Sequence, residues 1–251
     1  MIAGSPDDAG SVPRYPNGSG TMALSDNEVH LWLADCFDPG ACERLRAPYQ
    51  ALLNNEEVER RARYRRADDR QRYLVARALV RHTLSRYAPV APEEWRFCKG
   101  AHDKPEIEYP TLKLPQPLRF NLSHSGNWAV CAVALGEDVG VDIECTTRNN
   151  DVLSIARHYF SSRELGDLQG MEGSAARDRF FDLWTLKEAY MKARGEGISL
   201  GLGNFSFEFA ARPVGRRTIG VHFADVLQDD PGAWRFWVFA PLPQYRLALG
   251  W

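Results

Sequence analysis

The sequence has no long apolar run. Its most apolar stretch, Trp128 to Leu135, ends far short of the roughly 20 residues a membrane-spanning helix needs. It also has no basic-then-apolar start. Residues 1–25 are rich in Gly, Ser, Pro and Asp, which reads as a loose tail and not as a signal peptide. Cys36, Cys42, Cys98, Cys131 and Cys145 are odd in number and contain no Cys-x-x-Cys pair, so neither a zinc ribbon nor a thioredoxin-like site is implied. The expectation is five reduced thiols, mostly buried as small hydrophobes, in a cytoplasmic protein. Excess charge of one sign is missing too. The 31 Lys and Arg against 33 Asp and Glu leave a formal charge of −2, which excludes a chain that coats nucleic acid, so any polyanion site must be local. No Gly-x-Ser-x-Gly elbow occurs, which argues against a serine hydrolase.

What is present suffices for a folded enzyme. The 251 residues are 44% apolar and 25% charged, enough for one large domain or two small ones with a sizeable core. Residues 28–34 alternate as a half-buried strand, and 56–87 carry a helical apolar stripe through Leu74, Leu79, Val80 and Leu84. Seven arginines fall between Arg60 and Arg72, a solvated helix face or a local anion site. A proline-rich loop region over 88–120 is followed by strands at 125–135 and 139–144, which a turn at 136–138 would close into a hairpin. Helices are predicted at 152–159, 161–169 and 177–194, and strands at 204–209, 219–223, 234–240 and 244–251. The order suggests an α+β protein of two related lobes, 26–135 and 136–251.

Three segments carry chemistry. Gly140-Val-Asp142-Ile-Glu144 sets two carboxylates at i and i+2 on one strand face, with Val141 and Ile143 toward the core. Two like charges so placed repel unless a cation such as Mg²⁺ joins them, although the pentapeptide alone favours a solvent-facing edge with two unrelated acids. On the helix around Phe181 to Gly197, Trp184, Glu188 and Lys192 share a stripe beside Lys187 and Met191. Glu188 and Lys192 are there either an i,i+4 ion pair, or a third metal carboxylate or general base with a cation for a leaving phosphate. Phe120 to Gly126 reads as a polar loop with Ser123 and His124 suited to phosphate contacts. His30, His82, His158 and His222 have no ligand-like spacing and read as structural.

These three segments, in this order and spacing, resemble the signature of the Sfp-type 4′-phosphopantetheinyl transferases, with support from Arg72 through Arg81, Lys104-Pro105 and Phe160-Ser161-x-x-Glu164. The resemblance implies the fold of that family, two similar α+β lobes in a pseudo-twofold arrangement. It implies that the phosphopantetheine arm of coenzyme A moves to a serine of an apo acyl or peptidyl carrier protein, releasing adenosine 3′,5′-bisphosphate. In that reading Asp142, Glu144 and Glu188 hold Mg²⁺, with Mn²⁺ an alternative, on the pyrophosphate. Glu188, Lys192 and His124 are catalytic. Arg60, Arg72, Lys104, Pro105, Ser123, His124 and Lys192 bind coenzyme A. The enzyme is expected to be a monomer that needs neither nucleic acid nor membrane.

Two positions depart from the family pattern. Asp103 stands where Gly usually precedes Lys-Pro, and the choice among Arg60, Arg61 and Arg63 for the 3′-phosphate stays open. A basic and apolar patch of Lys187, Arg163, Arg194 and Met191 is expected to meet the acidic carrier helix. Removing Asp142 is expected to relieve repulsion in the metal-free protein. The alternative activities are a metal-dependent phosphodiesterase acting on coenzyme A-like nucleotides and a non-catalytic nucleotide- or RNA-binding protein.

Overall fold

Two separate apolar cores divide the chain, and the computed structural model describes residues 21–108, 116–148, 150–211 and 217–251. Pro110, Pro115 and the first 20 residues of the tail lie outside the described residues. One unit contains the chain up to Gly100 together with Lys104–Asp138, and the other contains Ala101–Asp103 and Val139–Trp251.

In the first unit β5 (Trp128–Leu135) is central, flanked by antiparallel β1 (His30–Asp35) and β4 (Leu118–Ser125). Six consecutive residues of β5, Ala129 to Ala134, are buried, so this apolar run is a strand covered on both faces. Helix α3 (Ala67–Leu84) packs on it through Val75, Ala76, Leu79, Val80 and Leu84. Trp32 on β1 is fully buried and its indole N–H donates to Tyr87 Oη at 2.7 Å. Met22 and Leu24, inside the stretch read as tail, pack against this core.

The helix predicted over 56–87 is two helices. Helix α2 (Asn55–Arg63) ends at Tyr64, whose backbone turns extended, and α3 starts after an extended Arg66. Arg70 donates to the carbonyls of Tyr64 and Arg65, which holds the break. Helix α1 (Pro39–Ala51), capped by Asp38, was not predicted; it buries no residue and therefore shows no apolar stripe. The region read as loop holds a short ribbon of β2 (Phe97–Lys99) and β3 (Pro105–Ile107) as well as β4.

The predicted hairpin at 136–138 does not form. The turn at Gly126-Asn127 joins β4 to β5, while β6 (Gly140–Cys145) pairs with β10 (Tyr245–Gly250) in the second unit. There β10 lies between β6 and β9 (Phe236–Phe239), all antiparallel. Helix α6 (Gly173–Arg194) crosses this sheet, and α4 (Val152–Tyr159), α5 (Ser162–Gln169) and the ribbon of β7 (Phe205–Ala211) and β8 (Arg217–Phe223) complete the core. Helices and antiparallel sheets make the protein α+β, as expected.

All five cysteines are free, but only Cys36 and Cys131 are buried. Burial pushes the Cys36 thiol up to about 12, which leaves it unreactive.

Candidate active site

The site in the second unit is built by close approach of α6 to β6. Val141 and Ile143 point into the core, and the intervening Asp142 is 4% exposed. Its neighbour Glu144 is more open and lies 3.7 Å from Arg148. Helix α6 brings Ala189 and Ala193 against Gly140, so the stripe that carries Glu188 and Lys192 faces the strand. Lys192 Nζ reaches across to donate to Asp142 Oδ1 at 2.6 Å and to the Val141 carbonyl at 3.4 Å. The cation that meets Asp142 is therefore the protein's own lysine. Removing Asp142 therefore has two opposed effects: it relieves the repulsion on Glu188, and it strips Lys192 of a carboxylate.

Glu188 feels every charge in this group. Burial above all, then the Asp142 and Glu144 carboxylates, push it up to about 7 against the opposing pull of Lys192. A carboxylic acid that changes protonation near neutrality can take or give a proton under working conditions. Trp184, one turn back, is half-buried and stacks on Phe180 at 5.8 Å between centroids.

Flanking arginines fix the two elements. Arg246 stands opposite Glu144 in the β10–β6 register, yet its guanidinium pairs with Asp178 and Asp182 of α6, each at 3.0 Å. Arg177 donates to the carbonyls of Thr146, Arg148 and Asn150, tying the loop after β6 to α6. Neither arginine was singled out by the sequence, because no spacing rule links them to partners so far away in the chain.

Lys187 and Met191 are corrected as docking residues. Lys187 is 0% exposed and spends its three donors on Glu164 Oε2 (2.8 Å), Leu202 O (2.8 Å) and Phe205 O (2.6 Å). Glu164 also accepts from Ser161 N–H and Oγ–H and, through Oε1, from Phe207 N–H. The pair thus locks α5, α6 and β7 together. Met191 is buried, Arg194 is engaged with Asp229 and Glu196, and Arg163 is exposed beside Glu208. Lys187→Met is expected to cost about 3–5 kcal/mol in urea unfolding, because Glu164 keeps a buried charge without its cation. The double variant Lys187→Met/Glu164→Leu should recover much of that loss. A single variant of wild-type stability would refute the assignment.

The remaining candidates lie in the first unit. Ser123 and His124 are on strand β4, not in a loop, and neighbours on a strand point to opposite faces: Ser123 is buried and His124 exposed. That geometry removes a Ser123–His124 hydrolase dyad. Arg72 donates to the Gly126 carbonyl at 2.8 Å and to Asp69 at 2.7 Å, so it secures the turn that ends the His124 strand. Lys104, largely buried, is 3.5 Å from Asp138, and burial holds its pKa below the usual lysine range while Asp138 opposes the shift. Pro105 opens β3. Asp103 has φ +63°, a left-handed conformation that glycine adopts at lower cost, which explains why Gly suits the position. Arg60 is exposed at the end of α2.

An acid poised near neutrality, beside a lysine and two further carboxylates, is the equipment of an acid–base enzyme. Comparison with known proteins gives the family. Residues 138–250 match the 4′-phosphopantetheinyl transferase superfamily, and residues 42–135 match the 4′-phosphopantetheinyl transferase N-terminal family. The 4′-phosphopantetheinyl transferase HetI of Nostoc is 33% identical over 75% of this chain and 76% of its own. Sfp of Bacillus subtilis is 34% identical over 63% of this chain and 67% of its own. A phosphopantetheinyl transferase of Thraustochytrium is 35% identical over 71% of this chain and 65% of its own. The solved holo-[acyl-carrier-protein] synthase of Thermotoga maritima aligns with a TM-score of 0.34 at 19% identity, covering 45% of this chain and 61% of that one. The chain belongs to the 4′-phosphopantetheinyl transferase superfamily. It is a transferase that moves the phosphopantetheine arm of coenzyme A to carrier proteins.

Proposed function

We propose that transfer runs through an acid–base pair on α6. Glu188 takes the proton from the carrier serine hydroxyl, whose oxygen attacks the phosphorus bearing the pantetheine arm. The new serine–phosphate bond forms as the pyrophosphate P–O bond breaks, and adenosine 3′,5′-bisphosphate leaves with charge that Lys192 stabilises or protonates. The observation that carries this reading is the placement of the largely buried Glu188 carboxyl within reach of the charges of Asp142, Glu144 and Lys192, with Lys192 itself on Asp142 Oδ1 at 2.6 Å. Arg60, Arg72, Lys104, Pro105, Ser123 and His124 contact coenzyme A in this reading, with His124 also assisting at the phosphates.

The donors fit a hard divalent ion in chemistry: Asp142, Glu144 and Glu188 offer oxygen ligands only, and their charges exceed what Lys192 neutralises. Among the described residues, no three His, Cys, Asp or Glu side chains already form a metal-binding group. Those three carboxylates would hold Mg²⁺, or Mn²⁺, which when bound supplies charge neutralisation to the pyrophosphate.

No helix among the described residues is long and apolar enough to cross a membrane. We place the enzyme in the cytoplasm as a monomer that serves apo carrier domains without nucleic acid. The test mixes the protein with coenzyme A and a panel of apo carrier domains, with and without Mg²⁺, and follows addition of the arm by intact mass. Addition that requires both Mg²⁺ and Asp142, lost in Asp142→Ala, is expected. Hydrolysis of coenzyme A without an acceptor, or undiminished transfer by Asp142→Ala, would overturn the reading.

A further inference from the structure

Helix α2 carries Arg60, Arg61 and Arg63 in its last turn yet has no apolar stripe; Glu57 is its one buried residue, and Val58 is 50% exposed. A surface helix is ordinarily seated by a strip of apolar side chains. The seat of α2 is a carboxylate instead. Glu57, 4% exposed, accepts from both terminal nitrogens of Arg81, at 3.2 and 2.8 Å, and from the Asn54 N–H at 3.1 Å. Arg77 Nε stands 2.9 Å from the same carboxylate as an ion pair without an aligned hydrogen bond. Each guanidinium also lies over an aromatic ring, Arg81 over Phe97 at 5.0 Å and Arg77 over Tyr73 at 5.6 Å.

Two consequences follow from this arrangement. Two guanidiniums against one carboxylate leave a surplus positive charge under α2, which favours an anion nearby. The rotation of α2 about its axis is also set by charge, since Arg61, one turn beyond Glu57, is tied by its Nε to the Arg70 carbonyl at 3.1 Å. Arg60 lies on the adjoining face, near enough to Tyr73 for its charge to act on that hydroxyl. Neither tie uses Arg60 itself.

We propose that Glu57 is a positioning residue: seated on Arg77 and Arg81, it orients α2 so that Arg60 meets the 3′-phosphate of coenzyme A. This rests on the transferase reading above, in which Arg60 binds coenzyme A. Glu57 touches no substrate; it acts through the helix.

The test is the ratio of kcat/KM for coenzyme A to kcat/KM for 3′-dephospho-coenzyme A, measured on the full chain with one apo carrier domain. A partly unfolded variant loses both constants equally, so the ratio does not respond to a merely structural defect. The wild-type ratio should be about 10-fold or more, as for a charged hydrogen bond, and should fall toward one in Arg60→Ala and in Glu57→Gln. Arg81→Lys keeps the buried charge but cannot reproduce the two-pronged bond to Glu57, so it decides the matter if Glu57→Gln does not fold, and it too should lower the ratio. A wild-type ratio in Glu57→Gln, or in Arg81→Lys where only that variant folds, overturns the inference and leaves the transferase reading standing. A wild-type ratio of one overturns the 3′-phosphate role of Arg60 and the inference with it. Failure of the wild type to modify any carrier, seen separately by mass, would be failure of the reading itself.

Discussion

Glu188→Gln is expected to lower kcat for transfer by about 10²- to 10⁴-fold, the usual contribution of a general base, while making the metal-free protein more stable at pH 8. The two effects share one cause. Burial and two neighbouring carboxylates raise the Glu188 carboxyl from 4.5 to about 7 in the folded chain. Folding therefore takes up a proton between those pH values. Below about 4.5 both states carry the proton and the residue costs nothing. The cost grows as pH rises toward 7 and is complete above it. At about 1.4 kcal/mol per pH unit it amounts to some 3 kcal/mol at most. Gln cannot ionise, so the stability gained over wild type should be small at pH 4.5, rise through pH 6 and level off above 7. Urea unfolding of both proteins in a chelator, across pH 4.5 to 8, measures that difference. A difference independent of pH would mean that Glu188 is not held out of its ordinary range, and wild-type kcat in the variant would mean that it is not the base.

The placement of these charged groups was more legible than the fold around them. Asp142 and Glu144 at i and i+2, and Glu188 and Lys192 at i and i+4, follow from the repeats of strand and helix, which survive any tertiary context. What those repeats cannot convey is partnership across long stretches of chain. Strand β6 was assigned to β5 because a turn separates them, yet its partner is β10, since the two strands belong to different cores. Helix α1 escaped because burial writes the apolar stripe and α1 buries nothing. Lys187 reads from the sequence as part of a basic patch beside the active helix, since no spacing rule ties it to a buried partner. Its acceptors come from Glu164, Leu202 and Phe205, positions that no local pattern connects. Strand β4 was missed for a related reason: Asn121, Ser123 and Ser125 are polar residues on a buried face, the reverse of the expected alternation.

The shortest approach in the site also sets its greatest sensitivity to substitution. A Cβ added at Gly140 would lie 1.9 Å from the Ala189 carbonyl oxygen and 2.5 Å from the Ala193 nitrogen, both backbone atoms of α6. No side chain can rotate away to make room, so the helix itself must retreat by an ångström or more. Gly140 has no positive φ, and Gly faces Gly again across the ladder at Gly250, so space and not backbone conformation requires glycine here. Retreat of α6 carries Glu188 and Lys192 away from Asp142 and Glu144 together. Gly140→Ala is therefore expected to lose about 1–3 kcal/mol or more through overpacking. Of the protein that still folds, kcat should fall by about 10²-fold, the loss attached to a misplacement near 1 Å. Gly166→Ala on α5 is the control, because nothing lies within 4 Å of a Cβ there and a helical alanine is favourable. The control should match or exceed wild-type stability with unchanged kcat. If Gly140→Ala instead unfolds no more readily than the control and transfers at the wild-type rate, α6 is not held to β6 by this contact. The alignment of the four charged groups would then need another origin, for which the Arg246 pairs with Asp178 and Asp182 are the nearest bonds between the same sheet and helix.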